Sequence, residues 1–191
     1  MRYLRAMPRI VILSASVRQG RASHRVALYL EQYLTGTADI ELDLIDLNSY
    51  SFPIFEERLK FQKDPSPSVR EFAHRMAAAD GVIIVTPEYN GGYPASLKNV
   101  IDLLVDEWKR KPVAVCTASD GSFGGTQVIT SLLFSLWKIK AWVVNAHLPV
   151  PKVNDAFTPE GVPLDQETWA KRTKAFVNEL LWAVEAKRRM E

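Results

Sequence analysis

Five short apolar runs alternate with stretches whose apolar residues recur every three or four positions, and this alternation limits the folds open to the chain. The runs are Arg9-Ile-Val-Ile-Leu13, Ile40-Glu-Leu-Asp-Leu-Ile45, Gly81-Val-Ile-Ile-Val85, Pro112-Val-Ala-Val-Cys-Thr117 and Ala141-Trp-Val-Val144. Short, β-branched runs of this kind read as buried strands. Between and after them the spacing predicts helices over Val26–Leu34, Val69–Ala79, Ser96–Trp108, Thr126–Trp137 and Asp165–Arg188. Residues 48–67 read as irregular, broken by Pro53, Pro65 and Pro67. Strands that alternate with helices imply βαβ units and a parallel sheet covered on both faces. Five of them suit a doubly wound α/β sheet in the order 2-1-3-4-5. At 191 residues the whole chain, 1–191, fits one domain.

Bulk properties remove several function classes. The charge is nearly balanced, with 24 basic and 22 acidic residues, which does not mark a nucleic-acid binder. No apolar run approaches the ~18 residues of a membrane span. The start, Met1-Arg-Tyr-Leu-Arg-Ala-Met-Pro8, has charges but no apolar core of a signal peptide. The single cysteine, Cys116, permits no intramolecular disulfide and no multi-cysteine metal site. The expectation is a cytoplasmic protein. One local bias stands out, because residues 1–30 hold six arginines and no acid before Glu31.

In an open parallel sheet, ligands bind beyond the carboxyl ends of the strands. Three loops meet there: Ser14-Ala-Ser-Val-Arg-Gln-Gly-Arg-Ala-Ser23, Pro87-Glu-Tyr-Asn-Gly-Gly-Tyr93 and Ser119-Asp-Gly-Ser-Phe-Gly-Gly125. The first leads into a helix, whose N-terminus exposes unpaired N–H groups and favours phosphate. Ser14, Ser16 and Ser23 add hydroxyl donors, and Arg18 and Arg21 add guanidinium forks. The blander reading is that Ser23 caps the helix while the arginines face solvent. The loop lacks both G-x-G-x-x-G and G-x-x-x-x-G-K-[ST], so a mononucleotide phosphate is the natural guest. Gly91 and Gly92 would let a flat ring approach the second loop closely.

These residues resemble a known family. Pro87-Glu-Tyr-Asn90 with Gly91-Gly-Tyr-Pro-Ala-Ser-Leu-Lys-Asn99 is similar to the signature of the NADPH-dependent FMN reductases, flavodoxin-like enzymes that include quinone, azo-dye and chromate reductases. Ser16-x-Arg18 and Gly121-x-x-Gly-Gly125 support the resemblance, and Ala15 departs from it where the family usually has glycine. The resemblance implies that Ser16, Arg18 and Ser23 hold the FMN phosphate. It implies that Pro87, Glu88, Tyr89 and Asn90 line the isoalloxazine and ribityl chain, while Ser119 and Gly121 approach the ring from the other side. It further implies NADPH or NADH as co-substrate and a small-molecule electron acceptor such as a quinone, free flavin or azo compound. A homodimer or homotetramer built on the helices around Leu97–Trp108 and Val128–Trp137 is also implied. A flavin-binding electron carrier without NAD(P)H activity is the alternative, and a degenerate member that binds only a partner protein is a third.

FMN would carry the chemistry, so no side chain is assigned as catalytic. His24, His74 and His147 are scattered without H-E-x-x-H spacing, so no metal site is expected. G-x-S-x-G is absent, which removes the serine-hydrolase reading. His24 reads as a surface helix histidine, Cys116 as a buried inert thiol and Tyr93 as packing. Glu88 reads as a loop anchor in preference to a base. Ser51-Phe-Pro-Ile-Phe55 either borders the substrate mouth or covers the sheet edge.

Overall fold

The computed structural model describes residues 7–37 and 39–191. The first six residues, and with them most of the expectation of no signal segment, lie outside the described residues. Strands β1 (Arg9–Ser14), β2 (Glu41–Asp46), β3 (Gly81–Pro87), β4 (Pro112–Ala118) and β5 (Trp142–Val150) form one sheet in the order β2-β1-β3-β4-β5. Every pairing is parallel, as the alternation implied. β3 and β4 are buried at every position, and β1 at every position after Arg9. That is why they read as unbroken apolar runs, whereas the edge strands β2 and β5 alternate.

Helices cover both faces. The period of two along each strand sends Ile10, Ile12, Ile83 and Val85 to one side. There they meet Val26, Leu30 and Leu34 of α1 (Ser23–Thr37) and Phe176, Leu180 and Val184 of α6 (Gln166–Met190). Val11, Leu13, Val82 and Ile84 face the other way, against α2 (Pro67–Ala78), α3 (Ala95–Leu103) and α4 (Val128–Lys138). Local chemistry fixes several helix ends. Ser66 accepts from Val69 N–H ahead of Pro67, so α2 starts with a side-chain cap and a proline at its first turn. Asp165 caps α6 by accepting from Thr168 N–H at 3.0 Å.

The structure departs from the sequence pattern most at the ends of α3 and β5. α3 ends at Leu103, five residues short of Trp108, because Leu104 is extended at φ −110° and ψ 147°. The Glu107 carboxylate accepts from Val105 N–H in the turn that follows. Leu104 and Trp108 are nonetheless buried, so the apolar spacing found the core and missed the helix end. β5 continues past Val144 to Val150, and a short helix α5 (Val153–Ala156) follows it. Exposed Asn145 and His147 hide this extension from an apolar search, and the pairing with β4 shifts register between Val113 and Val115. At the outer edge of β5, Arg172 of α6 donates to the Pro149 carbonyl.

The stretch expected to be irregular, residues 48–67, holds only a 3-10 turn at Leu59–Phe61 and the end of another at Leu47–Ser49 before α2 starts at Pro67. Tyr50 and Phe52 pack inward, whereas Phe61 is exposed. Tyr50 and Phe52 stack at 4.9 Å, and both meet the edge of Phe72 in α2. Asn99 pins the stretch to α3, donating to Pro53 O and accepting from Phe55 N–H.

Candidate functional site

The three loops lie at the carboxyl ends of β1, β3 and β4, which are neighbours in the sheet. In the first loop, Ala15 N–H still bonds Val85 O, and Ala15 O accepts from Ser96 Oγ. The Ala15 methyl lies in the core beneath α2–α4, so the residue that departs from the family pattern continues the strand. Ser14 and Ser16 are fully buried. Gly20, at φ +67°, reverses the chain before α1.

Ser23 opens α1 and is 3% exposed, yet its Oγ has no hydrogen-bond partner among the described residues. It therefore does not cap the helix, contrary to the blander expectation. A buried hydroxyl left unpaired costs about 1–3 kcal/mol and calls for an explanation. Ser16 Oγ lies 2.7 Å from Tyr89 OH and accepts from Arg18 N–H at 3.3 Å. The Arg18 guanidinium is exposed, sits 6.0 Å from the Tyr89 ring centroid and has no carboxylate partner among the described residues. Arg21 is different, because it donates through both terminal nitrogens to Asp46 and also to Ser16 O. It is committed to fastening the loop onto the end of β2, so Arg18 alone of the two is free for an anion.

His24 is not the free surface residue that its helical position suggested. Its Nδ1 lies 3.0 Å from Ser14 Oγ, and its Nε2 is 3.9 Å from the Asp46 carboxylate. Burial, together with Arg21, pushes its pKa below the ordinary value against the opposing pull of Asp46. Burial also pushes the Asp46 carboxyl up, but hydrogen bonds from Arg21 and Asn48 N–H outweigh it and hold the group below 3.8. His147 is exposed as a residue, but its Nε2 edge turns inward to meet Thr117 Oγ1 at 2.8 Å, and desolvation there, with Arg172, lowers its pKa too. A histidine with a depressed native pKa is neutral while the unfolded chain already binds a proton, so stability falls as pH drops below 6.5. The urea midpoint should decline between pH 7 and pH 5, and His24→Gln should flatten part of that slope.

The second loop is a two-residue hairpin. Tyr89 and Gly92 exchange backbone hydrogen bonds at 2.8 and 3.1 Å around Asn90 (φ 52°) and Gly91 (φ 81°). Positive φ at both central positions makes a type I′ turn, for which Asn-Gly is the preferred pair. That dipeptide was the legible signal, and it explains the loop better than ring access alone. Pro87 is buried at the end of β3 opposite Ala118, and Asn90 is exposed at the turn. Tyr93 donates to or accepts from Ser135 of α4 at 2.7 Å, in keeping with a packing role.

The third loop is held from below. Thr117 donates to Gly124 O, Lys152 N–H bonds Gly121 O, and Ser119 shares backbone bonds with Val150 and Val153. Between it and the second loop lies a cleft of about 420 Å³ lined by Glu88, Ser119, Gly121, Phe123, Gly125 and Gln127. Three residues named from the sequence thus share one cleft, and Ser16, Arg18 and Tyr89 form a second group beside it. Phe123 and Gln127 were missed; Phe123 lay within a loop singled out for its glycines, and Gln127 was assigned to a helix that begins one residue later. A separate cavity of about 480 Å³ lies between Val17, Tyr50, Ile54 and Ser96. Cys116 is buried in β4 and its thiol is pushed well up by burial, as expected of an inert cysteine.

The sequence model of a family described as NADPH-dependent FMN reductase matches residues 8–155, a span that contains all three loops. The chain belongs to the NADPH-dependent FMN reductase family. An NAD(P)H-dependent FMN reductase of Nectria sp is 30% identical to it over 183 residues, covering 88% of this chain and 90% of that protein. A quinone reductase of Escherichia coli (strain K12) is 31% identical over 140 residues, covering 71% and 73%. Among solved structures, the flavoenzyme FerB, an NAD(P)H:(acceptor) oxidoreductase from Paracoccus denitrificans, shares the fold. It has a TM-score of 0.76 at 23% identity, over 93% of this chain and 99% of that one. Like other FMN reductases of this family the chain is an oxidoreductase, and its strand order is flavodoxin-like.

Proposed function

We propose that the protein is an FMN-dependent enzyme that takes hydride from NADPH or NADH and delivers electrons to a quinone, free flavin, azo compound or similar acceptor. It would do so as one domain spanning residues 1–191, assembled as a homodimer or homotetramer in the cytoplasm. The observation that carries the reading is the buried, unpartnered Ser23 hydroxyl at the N-terminus of α1. Ser16, the unpaired Arg18 and the helix N–H groups add donors along the same loop, and α1 has no acid in its first turn. A donor-rich set of this kind fits a phosphate. Glu88, Ser119 and Gly121 border a cleft of about 420 Å³, within the ordinary range for small-molecule sites, where the ring would lie.

FMN supplies reversible hydride and electron transfer when bound. The residues of this chain supply grip and shape. Arg18, Ser16 and Ser23 hold the phosphate end, and the rigid I′ turn sets the height of the second loop. The backbone anchoring of Gly121 and Gly124 keeps the opposite wall in place. No side chain in the cleft is arranged as a nucleophile.

The purified protein should be yellow or become so with FMN, bleach on anaerobic addition of NADPH and regain colour with a quinone. Colour that ignores both NADPH and NADH would replace the enzyme by an electron carrier. A colourless chain that takes up no FMN would end the flavin reading. The sequence pI near 8.6 favours the enzyme, since acidic surfaces suit flavodoxin-type carriers. Arg18→Ala removes a charge-assisted contact worth about 1.5–3 kcal/mol, so the FMN dissociation constant should rise about 10- to 100-fold. An unchanged constant by fluorescence titration would take Arg18 off the phosphate.

A further inference from the structure

Tyr89 sits in the loop assigned to the flavin ring, yet its hydroxyl touches the phosphate loop. Tyr89 OH and Ser16 Oγ are 2.7 Å apart, the one side-chain hydrogen bond between the second loop and the first among the described residues. We infer that Tyr89 is a positioning residue that aims the Ser16 hydroxyl proton at the ligand's phosphate, and so helps the site favour a phosphorylated flavin over an unphosphorylated one. The inference rests on the flavin reading above and adds a direction to one of its hydrogen bonds.

The direction follows from counting donors and acceptors. Ser16 Oγ has one proton and two lone pairs. Arg18 N–H can only donate, and it takes one lone pair at 3.3 Å. A phenol is a stronger acid than an aliphatic alcohol and a weaker acceptor, so between Tyr89 and Ser16 the phenol donates. Both lone pairs of Ser16 are then filled, and its proton has no further acceptor among the described residues. Ser16 is fully buried, so that proton needs a partner. A phosphate oxygen completes the chain Tyr89 O–H to Ser16 O–H to phosphate, in which each bond polarises and strengthens the next. Without the phenol, the Ser16 hydroxyl is free to turn and loses that polarisation. The nearby Arg18 guanidinium faces the Tyr89 ring, which places charge and directed hydroxyl on the same side of the loop.

Tyr89→Phe keeps the ring and deletes only the hydroxyl. In the wild type, FMN should bind more tightly than riboflavin, which lacks the phosphate. Tyr89→Phe should weaken FMN binding about five- to tenfold and leave riboflavin binding unchanged, as measured by flavin fluorescence titration. Ser16→Ala should weaken FMN as well, and adding Tyr89→Phe to it should have no further effect. Thermal unfolding of each variant confirms that the fold is intact. Equal losses for FMN and riboflavin would mean that the phenol touches the ring or ribityl chain, and would overturn the inference. Additive losses in the double variant would overturn it too. A wild-type chain that binds neither flavin would bring down the flavin reading itself, and the inference with it.

Discussion

Gly124→Ala should lower stability by about 3–5 kcal/mol and empty the site of flavin. Gly124 has φ +61°, a region that a side chain occupies only under strain. A Cβ there would stand 2.8 Å from Val150 N and 2.9 Å from Pro151 N. Both are backbone atoms, so no rotamer change relieves the contact. The loop must lift from the end of β5, which breaks the Thr117 hydroxyl bond to Gly124 O and moves the wall that carries Ser119 and Gly121. The expected record is a much lower urea midpoint with loss of FMN on gel filtration. An unfolding free energy within about 0.5 kcal/mol of wild type would show that the loop gives way freely.

Lys111→Met should cost about 2–4 kcal/mol. Lys111 is 5% exposed, and its ammonium donates to the carbonyls of Met76, Ala77 and Ala79. These carbonyls end α2, where the helix dipole also favours a cation. Burial, with Lys187 nearby, pulls the ammonium pKa down to about 8, so the charge is held against the cost of desolvation by those three acceptors. Methionine fills the space and satisfies none of them. The adjoining surface cavity beside Asp80 and Lys187 admits water, which keeps the loss at the level of a few kcal/mol. Denaturant unfolding measures it, and a fall in the midpoint at unchanged slope would place the effect in stability alone.

Lys111 also marks where sequence reading stops. Lys109-Arg-Lys111 looks like a solvated charge run, and nothing local says that its last member turns inward to meet α2, three elements earlier. The sheet was legible because β1, β3 and β4 are buried on both faces and so have unbroken apolar runs. β5 was half legible, since an edge strand exposes Asn145 and His147. For the candidate site, residue types and loops could be read, because glycines and hydroxyls at strand ends have few other uses. Pairing could not be read. Arg18 and Arg21 are alike in sequence, and only Asp46, 25 residues past Arg21, decides that one is committed and the other free. His24 likewise depends on Ser14 and Asp46, partners that the helical period does not reveal.

The outer margin of β5 has a bearing on how copies of this molecule can meet. Within a parallel strand the N–H and C=O of one residue point to the same side, and the Pro149 carbonyl is already bound by Arg172. Proline brings no N–H to that side, so a foreign strand laid alongside would find neither a donor nor a vacant acceptor at this rung. Growth of the sheet from chain to chain, the route to fibrils, is therefore disfavoured at this rung, at the end that carries the ligand loops.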